Sequence, residues 1–143
     1  MSNNKNEKYI VTELKAPPAS PEAVARYAQF AKRILWLDDN VVPGAFQMNC
    51  SWYLRPAPGI TEPHTHEYDE IIGFFGSDSD DPNNLYGEVE MWLEDEQYFL
   101  TQTCMIFVPA GMPHCPLILR RVERPIFHFT TVNGGQYRVI KDN

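Results

Sequence analysis

The sequence predicts an all-β fold, a sandwich or barrel of short strands, with one short helix near the N-terminus. Two observations carry this expectation. Short runs rich in β-branched and aromatic residues recur from residue 34 to residue 140, separated by turn-forming clusters. Only one stretch, ahead of residue 34, places apolar residues at helical spacing, which leaves little room for the crossover helices of a parallel sheet.

Residues 1–8 are polar and are expected to be mobile. Residues 9–15 read as an outer strand, closed by Ala16-Pro17-Pro18-Ala19. Ser20-Pro21-Glu22 then reads as a helix start: a capping hydroxyl, a proline at the first position and an acid in the first turn. Val24, Tyr27, Ala28 and Ala31 carry the helix to an end near Arg33. Strands are expected over 34–42, 46–55, 70–75, 87–93, 97–100, 105–108, 115–122, 125–132 and 136–140. Turns are expected at Val42-Pro43-Gly44, Pro56-Ala57-Pro58-Gly59, Asp81-Pro82-Asn83-Asn84, Glu94-Asp95-Glu96 and Gly134-Gly135.

Composition narrows the function. A chain of 143 residues with 43% hydrophobic content can bury one core, so a single domain over 9–143 is expected. A formal charge of -7 argues against general nucleic-acid or anionic-membrane binding, since both need a basic face. No apolar run approaches the ~20 residues of a membrane span, and the start MSNNKNEKYI lacks the apolar centre of a signal peptide. Cys50, Cys104 and Cys115 are odd in number and scattered, so no disulfide framework is implied. The expected setting is cytoplasmic.

Chemistry concentrates in two segments, Pro63-His64-Thr65-His66-Glu67-Tyr68-Asp69-Glu70 and Pro109-Ala110-Gly111-Met112-Pro113-His114. His64 and His66 point the same way on a strand and lie about 7 Å apart. Glu70 would be about 13 Å from His66 on a straight chain, while metal ligands sit roughly 2 Å from the ion. Glu67-Tyr68-Asp69 must therefore turn a corner to bring Glu70 back, though Glu67 and Asp69 are competing carboxylates. His114 must arrive by tertiary folding, aimed by a turn in which proline fixes one torsion and glycine permits the unusual one. Imidazoles with a carboxylate suit one divalent ion per chain, iron, manganese, zinc or nickel.

These segments resemble the two motifs of the cupin superfamily. The first motif is matched by Gly59, His64, His66, Glu70 and Gly76, with both glycine gaps one residue short of the commonest spacing. The second is matched by Pro109, Gly111 and His114, with Thr103 and Ile118 where a glycine and an asparagine are usual. The likeness covers residues 46–131. It implies a double-stranded β-helix (a jelly-roll barrel) holding one metal on His64, His66, Glu70 and His114. It further implies either an Fe(II) dioxygenase or a Lewis-acid isomerase or lyase, acting on a small oxygen-rich or carboxylate-bearing molecule. The alternative is a non-catalytic module that binds a small ligand. Cupins of this size often pair, so a homodimer is expected, with strand 9–15 a candidate for exchange between subunits.

Around the site, His128, Tyr53 and Tyr68 are the candidate proton donors or acceptors. Arg55 and Arg120 are candidate anchors for a substrate carboxylate. Cys115 should face away from His114 by strand alternation and read as a buried structural thiol. The acidic run 77–84 reads as a solvated loop long enough to cover a barrel mouth.

Overall fold

Ser20 caps the helix as its position predicts: its Oγ accepts a hydrogen bond from Ala23 N at 3.1 Å. In the computed structural model, which describes residues 4–137 and 139–140, this helix (α1) spans Pro21–Ala28 and stops short of Arg33. Tyr27 leans inward, its ring 5.2 Å from that of Phe30. Phe30 and Ala31 are buried, so extending into a sheet removes more apolar surface from water than another helical turn would. Strand β1 therefore runs Ala31–Leu37 and takes Arg33 with it. Asp38 ends it early, accepting from Asn40 N and Val41 N at 2.9 and 3.2 Å in a local turn.

The remaining strands are β2 (Gln47–Tyr53), β3 (Ala57–Thr61), β4 (Glu70–Gly76), β5 (Asn84–Leu93), β6 (Glu96–Gln102), β7 (Cys104–Val108), β8 (His114–Val122) and β9 (Ile126–Val132). They form two sheets, ordered β1-β2-β9-β4-β7 and β3-β8-β5-β6, with every named pairing antiparallel. Strands distant in sequence lie side by side, β2 with β9 and β3 with β8, as in a jelly-roll barrel. Phe74, Leu85, Val89, Met91, Leu119 and Ile126 form the centre of the core between the sheets.

Three expectations need correction. Residues 9–15 form no strand: a 3-10 turn occupies Glu7–Tyr9, and Tyr9, Ile10 and Leu14 stay exposed with no partner ladder. Residues 56–59 are not simply a turn, because Ala57 is buried and pairs with Leu119. The prolines are tolerated there because β3 is an edge strand, where a missing N–H breaks no ladder. In 136–140 no strand appears among the described residues, only a bridge between Thr65 and Ile140. Residues 1–3 of the expected mobile terminus, and 138 and 141–143 of the expected domain, lie outside the described residues.

Strand β2 lays a polar wall along the barrel interior. Gln47, Asn49, Ser51 and Tyr53 are its buried residues, whereas Met48, Cys50 and Trp52 are only half-buried. Register then sets inward-facing rows across the large sheet: Arg33, Ser51, His128 and Phe74 in one; Trp36, Asn49, Thr130 and Ile72 in the next; Gln47, Val132 and Glu70 in a third. Each row thus mixes polar and apolar side chains, with β2 contributing a polar one to all three. Gly76 closes the first motif for a steric reason, since a Cβ there would lie 2.0 Å from the Asn84 carbonyl oxygen.

Candidate metal centre

The two histidine segments meet through their backbones. His64 and His114 exchange N–H···O bonds at 3.1 Å in both directions, which places their side chains next to each other. The chain turns at Glu67-Tyr68-Asp69 and enters β4 at Glu70. The second segment turns at Pro109–Met112, closed by a Met112 N to Pro109 O bond of 3.1 Å. Gly111 supplies the φ of 83° that this turn requires. Its N–H donates to the His66 carbonyl at 2.9 Å, so the second motif is hooked to the first.

Asp69 completes the hook, accepting from Ala110 N at 2.9 Å and from Asn133 Nδ2 at 3.4 Å. Its carboxylate is thereby occupied with the two loops, and Glu67 is exposed. Of the three neighbouring acids, Glu70 is the one aimed at the histidines.

The donor atoms crowd one point. Glu70 Oε1 lies 3.0 Å from His114 Nε2 and 3.3 Å from His66 Nε2. His64 Nε2 lies 3.2 Å from His66 Nε2. All four side chains are at most 5% exposed. His64 Nδ1 is 2.7 Å from the Glu62 carbonyl and His114 Nδ1 is 3.0 Å from the Met112 carbonyl. A carbonyl only accepts, so each Nδ1 carries the proton and each Nε2 presents a lone pair.

Two lone-pair atoms, His114 Nε2 and Glu70 Oε1, then face each other at contact distance, and neither has a hydrogen-bond partner. Buried acceptors packed this way repel unless a positive charge sits among them. The residues present therefore fit a metal ion. The second nitrogens of His64 and His114 are tied to backbone carbonyls, the arrangement that orients metal-bound imidazoles.

Electrostatics agree with the geometry. Burial pushes the Glu70 carboxyl up, but positive charge carried at the His114 and His66 ring nitrogens outweighs it and holds the group down at about 2, the same need for a cation among these atoms. Burial, reinforced by the other two imidazoles, keeps His64 below its ordinary value. Glu70 is an anion and His64 a neutral imidazole at neutral pH.

No family model and no curated protein matches the sequence. Solved structures do. An oxalate oxidase in complex with the substrate analogue glycolate aligns with 98% of this chain at 17% identity and a TM-score of 0.56. The alignment spans 66% of that protein, so this chain matches about two thirds of its length. A cupin 2 domain-containing protein from Halorhodospira halophila aligns over 80% of this chain and 72% of its own, at 15% identity and a TM-score of 0.51. The chain has the cupin fold.

Beside the ligand cluster this cupin barrel holds a cavity of about 450 Å³, reached by His64, Glu70 and His114 from one side. Tyr53 and His128 line it as well. The His128 ring is stacked between Tyr53 (centroids 4.5 Å) and Phe74 (5.0 Å), and its Nδ1 donates to the Gly73 carbonyl at 3.0 Å. Burial holds His128 down at about 4, so it is neutral at pH 7. Burial, with Tyr27 adding to it, raises Tyr53, which keeps its proton. Tyr68 does not line the cavity; it stacks on His66 at 5.2 Å, with Tyr137 against another side of the same imidazole at 4.9 Å.

Other expectations find different places. Cys115 does not face away: with φ 75° it leaves the strand alternation, lines the cavity, and brings its sulfur within 4.8 Å of the His64 and His114 donor atoms. Burial pushes its thiol up to about 12, so it is neutral. Arg120 is committed to Glu90 at 2.9 Å, and Arg55 is exposed outside the cavity. The acidic loop folds on itself, Asp81 accepting from Tyr86 Oη at 2.9 Å, and covers no part of the cavity. Pro17, Pro18, Ala19 and Tyr137 line the cavity instead.

Sequence reasoning missed Arg33, Asp38, Gln47 and Asn49, which all line the same space. The available signal was the alternation Gln47, Asn49, Ser51 against Met48, Cys50, Trp52 in β2. A two-sided pattern of this kind does not say which face is inside.

Proposed function

We propose that this chain is a metal-dependent cupin enzyme acting on a small oxygen-rich or carboxylate-bearing molecule. One observation carries the reading: Glu70 Oε1 and His114 Nε2 are buried, unpartnered and directed at each other within a ring of donors. His64, His66, Glu70 and His114 would hold one divalent ion (iron, manganese, zinc or nickel). Bound there, the ion supplies a Lewis acid toward substrate oxygen and, if it is iron, the electrons for dioxygen chemistry.

The chain's own groups supply the rest. Ile60, Ile72, Met91 and Leu117 wall the cavity and exclude water around the substrate. Tyr53 offers a protonated hydroxyl and His128 a neutral ring with Nδ1 already committed. His128 Nε2 is then the group able to accept a proton or a hydrogen bond. Tyr68, stacked on His66, orients that ligand, and any proton it delivers must pass beside the imidazole.

Isomerase or lyase chemistry and dioxygenation both remain within this reading, and pairing as a homodimer in a cytoplasmic setting is part of the proposal. Among the described residues no helix is long and apolar enough to cross a membrane. The alternative, a binding module without turnover, draws on the same two groups, because Tyr53 and His128 are both held uncharged.

The test is elemental analysis of protein purified without chelator, followed by anaerobic reloading with Fe, Mn, Zn or Ni. Oxygen uptake and product formation are then measured with a panel of hydroxy and oxo acids. We expect one ion per chain and turnover with at least one metal, both lost in His114→Ala. Absence of bound metal under every loading condition would refute the metal reading. Metal-dependent binding without turnover would select the binding module.

A further inference from the structure

The cavity contains a second set of unsatisfied groups, separate from the four donors. Gln47 is fully buried, and both its Oε1 and its Nε2 lack a hydrogen-bond partner. Turning the amide over changes nothing, since both atoms are unpaired. Asn49 Oδ1 and Arg33 Nε are likewise buried and unpaired. All three side chains line the cavity that His64, Glu70 and His114 reach. An unpaired buried polar atom costs about 1–3 kcal/mol, so three residues in this state on one wall indicate groups arranged for a ligand.

Their chemistry specifies it. Arg33 is held flat by rings, its guanidinium 4.8 Å from the Tyr27 centroid and 5.6 Å from that of Trp36. A guanidinium fixed in this way presents N–H groups to a carboxylate. Gln47 requires one acceptor and one donor, which a hydroxyl provides alone.

The formal charges on the wall limit the ligand further. Arg33 is the only cationic side chain among the described lining residues, while Asp38 and Glu70 are the two acids. Asp38 is already satisfied by Trp36 Nε1 at 2.8 Å and by two backbone N–H groups. Arg33 alone offers a positive charge to a ligand on this wall, which suits one carboxylate and gives a phosphate dianion no second cation.

Gln47 and Glu70 lie two strand spacings apart in the same row, about 10 Å. We infer that Arg33, Gln47 and Asn49 form a subsite for the far end of an extended hydroxy acid. Arg33 takes its carboxylate, the two amides take its hydroxyls, and its other end reaches the histidine–Glu70 cluster. The inference rests on the metal reading for that last contact only.

Titration calorimetry on metal-loaded protein tests it, with D-gluconate as probe, sorbitol as its uncharged counterpart and inorganic phosphate as competitor. Wild type is expected to bind gluconate at least tenfold tighter than sorbitol, and phosphate should not displace it. Arg33→Met should weaken gluconate at least tenfold and leave sorbitol unchanged, with metal content intact.

Gln47→Leu separates a ligand-binding amide from a structural one. If the amide awaits a ligand, the variant melts at or above the wild-type temperature while gluconate binding falls at least tenfold. A lowered melting temperature with binding retained would overturn the subsite. So would equal binding of gluconate and sorbitol, or displacement by phosphate. Protein that takes up no metal but still shows the Arg33-dependent preference would sink the metal reading and leave the subsite standing.

Discussion

His128 makes the most quantitative prediction, because its burial outweighs the two contacts that favour its charged form, the hydrogen bond to the Gly73 carbonyl and the nearby Glu70. Its ring sits between two aromatic faces, one nitrogen is spent on the Gly73 carbonyl, and only 4% of the residue is exposed. Its proton affinity falls from the ordinary 6.5 to about 4. The unfolded chain therefore takes up a proton below pH 6.5 that the folded chain refuses until about pH 4. Stability from this group is complete above pH 6.5 and is lost as pH falls through that window. Linkage puts the loss between pH 7.5 and pH 4.5 at about 2–3 kcal/mol from this side chain. Urea unfolding followed by tryptophan fluorescence, in chelator so that metal release does not contribute, measures it. His128→Gln and His128→Phe are compared with wild type by the difference between the two pH values, not by absolute stability. Both variants should show a pH dependence smaller by about 2–3 kcal/mol. Identical slopes in all three proteins would mean that His128 is protonated in the folded state or unburied.

Further predictions concern how the two motifs are held together. Asp69→Ala removes the acceptor for Ala110 N and Asn133 Nδ2; about 1–3 kcal/mol of stability should be lost, and metal affinity measured against a competing chelator should weaken. Gly111→Ala meets no neighbour within 4 Å, so its cost is the φ of 83° alone, about 1–2 kcal/mol in thermal unfolding. Gly76→Ala drives a Cβ into backbone and should leave little folded protein by circular dichroism. For the proposed homodimer, Met105 and Phe107 are exposed on edge strand β7. Light scattering should give twice the chain mass, and Met105→Glu with Phe107→Glu should return it to the monomer value.

That His64, His66, Glu70 and His114 come together was legible from sequence because the chemistry expected of them constrains their spacing. Imidazoles one residue apart share a face, and a carboxylate four residues on cannot reach them unless the chain turns. The turn exists, and what holds it was not legible: Asp69, read as a competing ligand, is the post that ties both loops. The all-β sandwich or barrel class was legible for a similar reason, since strand-forming runs and turn residues alternate without a second helix, while the jelly-roll itself came only with the resemblance to cupins. Boundaries were less so. The helical pattern ran on to Arg33 in sequence, but burial of Phe30 and Ala31 ended it earlier, and that burial depends on the whole sheet.

The cavity wall shows why sequence patterning stops short of specificity. In β2 the usual inference puts Met48, Cys50 and Trp52 inside and Gln47, Asn49 and Ser51 toward water. The fold reverses it: the polar residues are buried, and Trp52 packs on the outer face against Phe127 at 5.4 Å. A one-residue shift in the register of β2 would restore the ordinary pattern and remove the polar wall altogether. Register is held instead by the pairing of Gln47 with Val132 and Tyr53 with Ile126, and by the Thr131 hydroxyl donating to the Gln47 carbonyl at 2.6 Å. Pairing of this kind places stability in the outer aromatic face and in the core around Phe74, Leu85, Val89, Met91, Leu119 and Ile126, which leaves the inner face of β2 free to carry unsatisfied polar groups. If that division is right, Thr131→Val should lower stability more than Gln47→Leu does, although Gln47 is the more deeply buried of the two. The opposite order in urea unfolding would mean that the Gln47 amide is part of the scaffold.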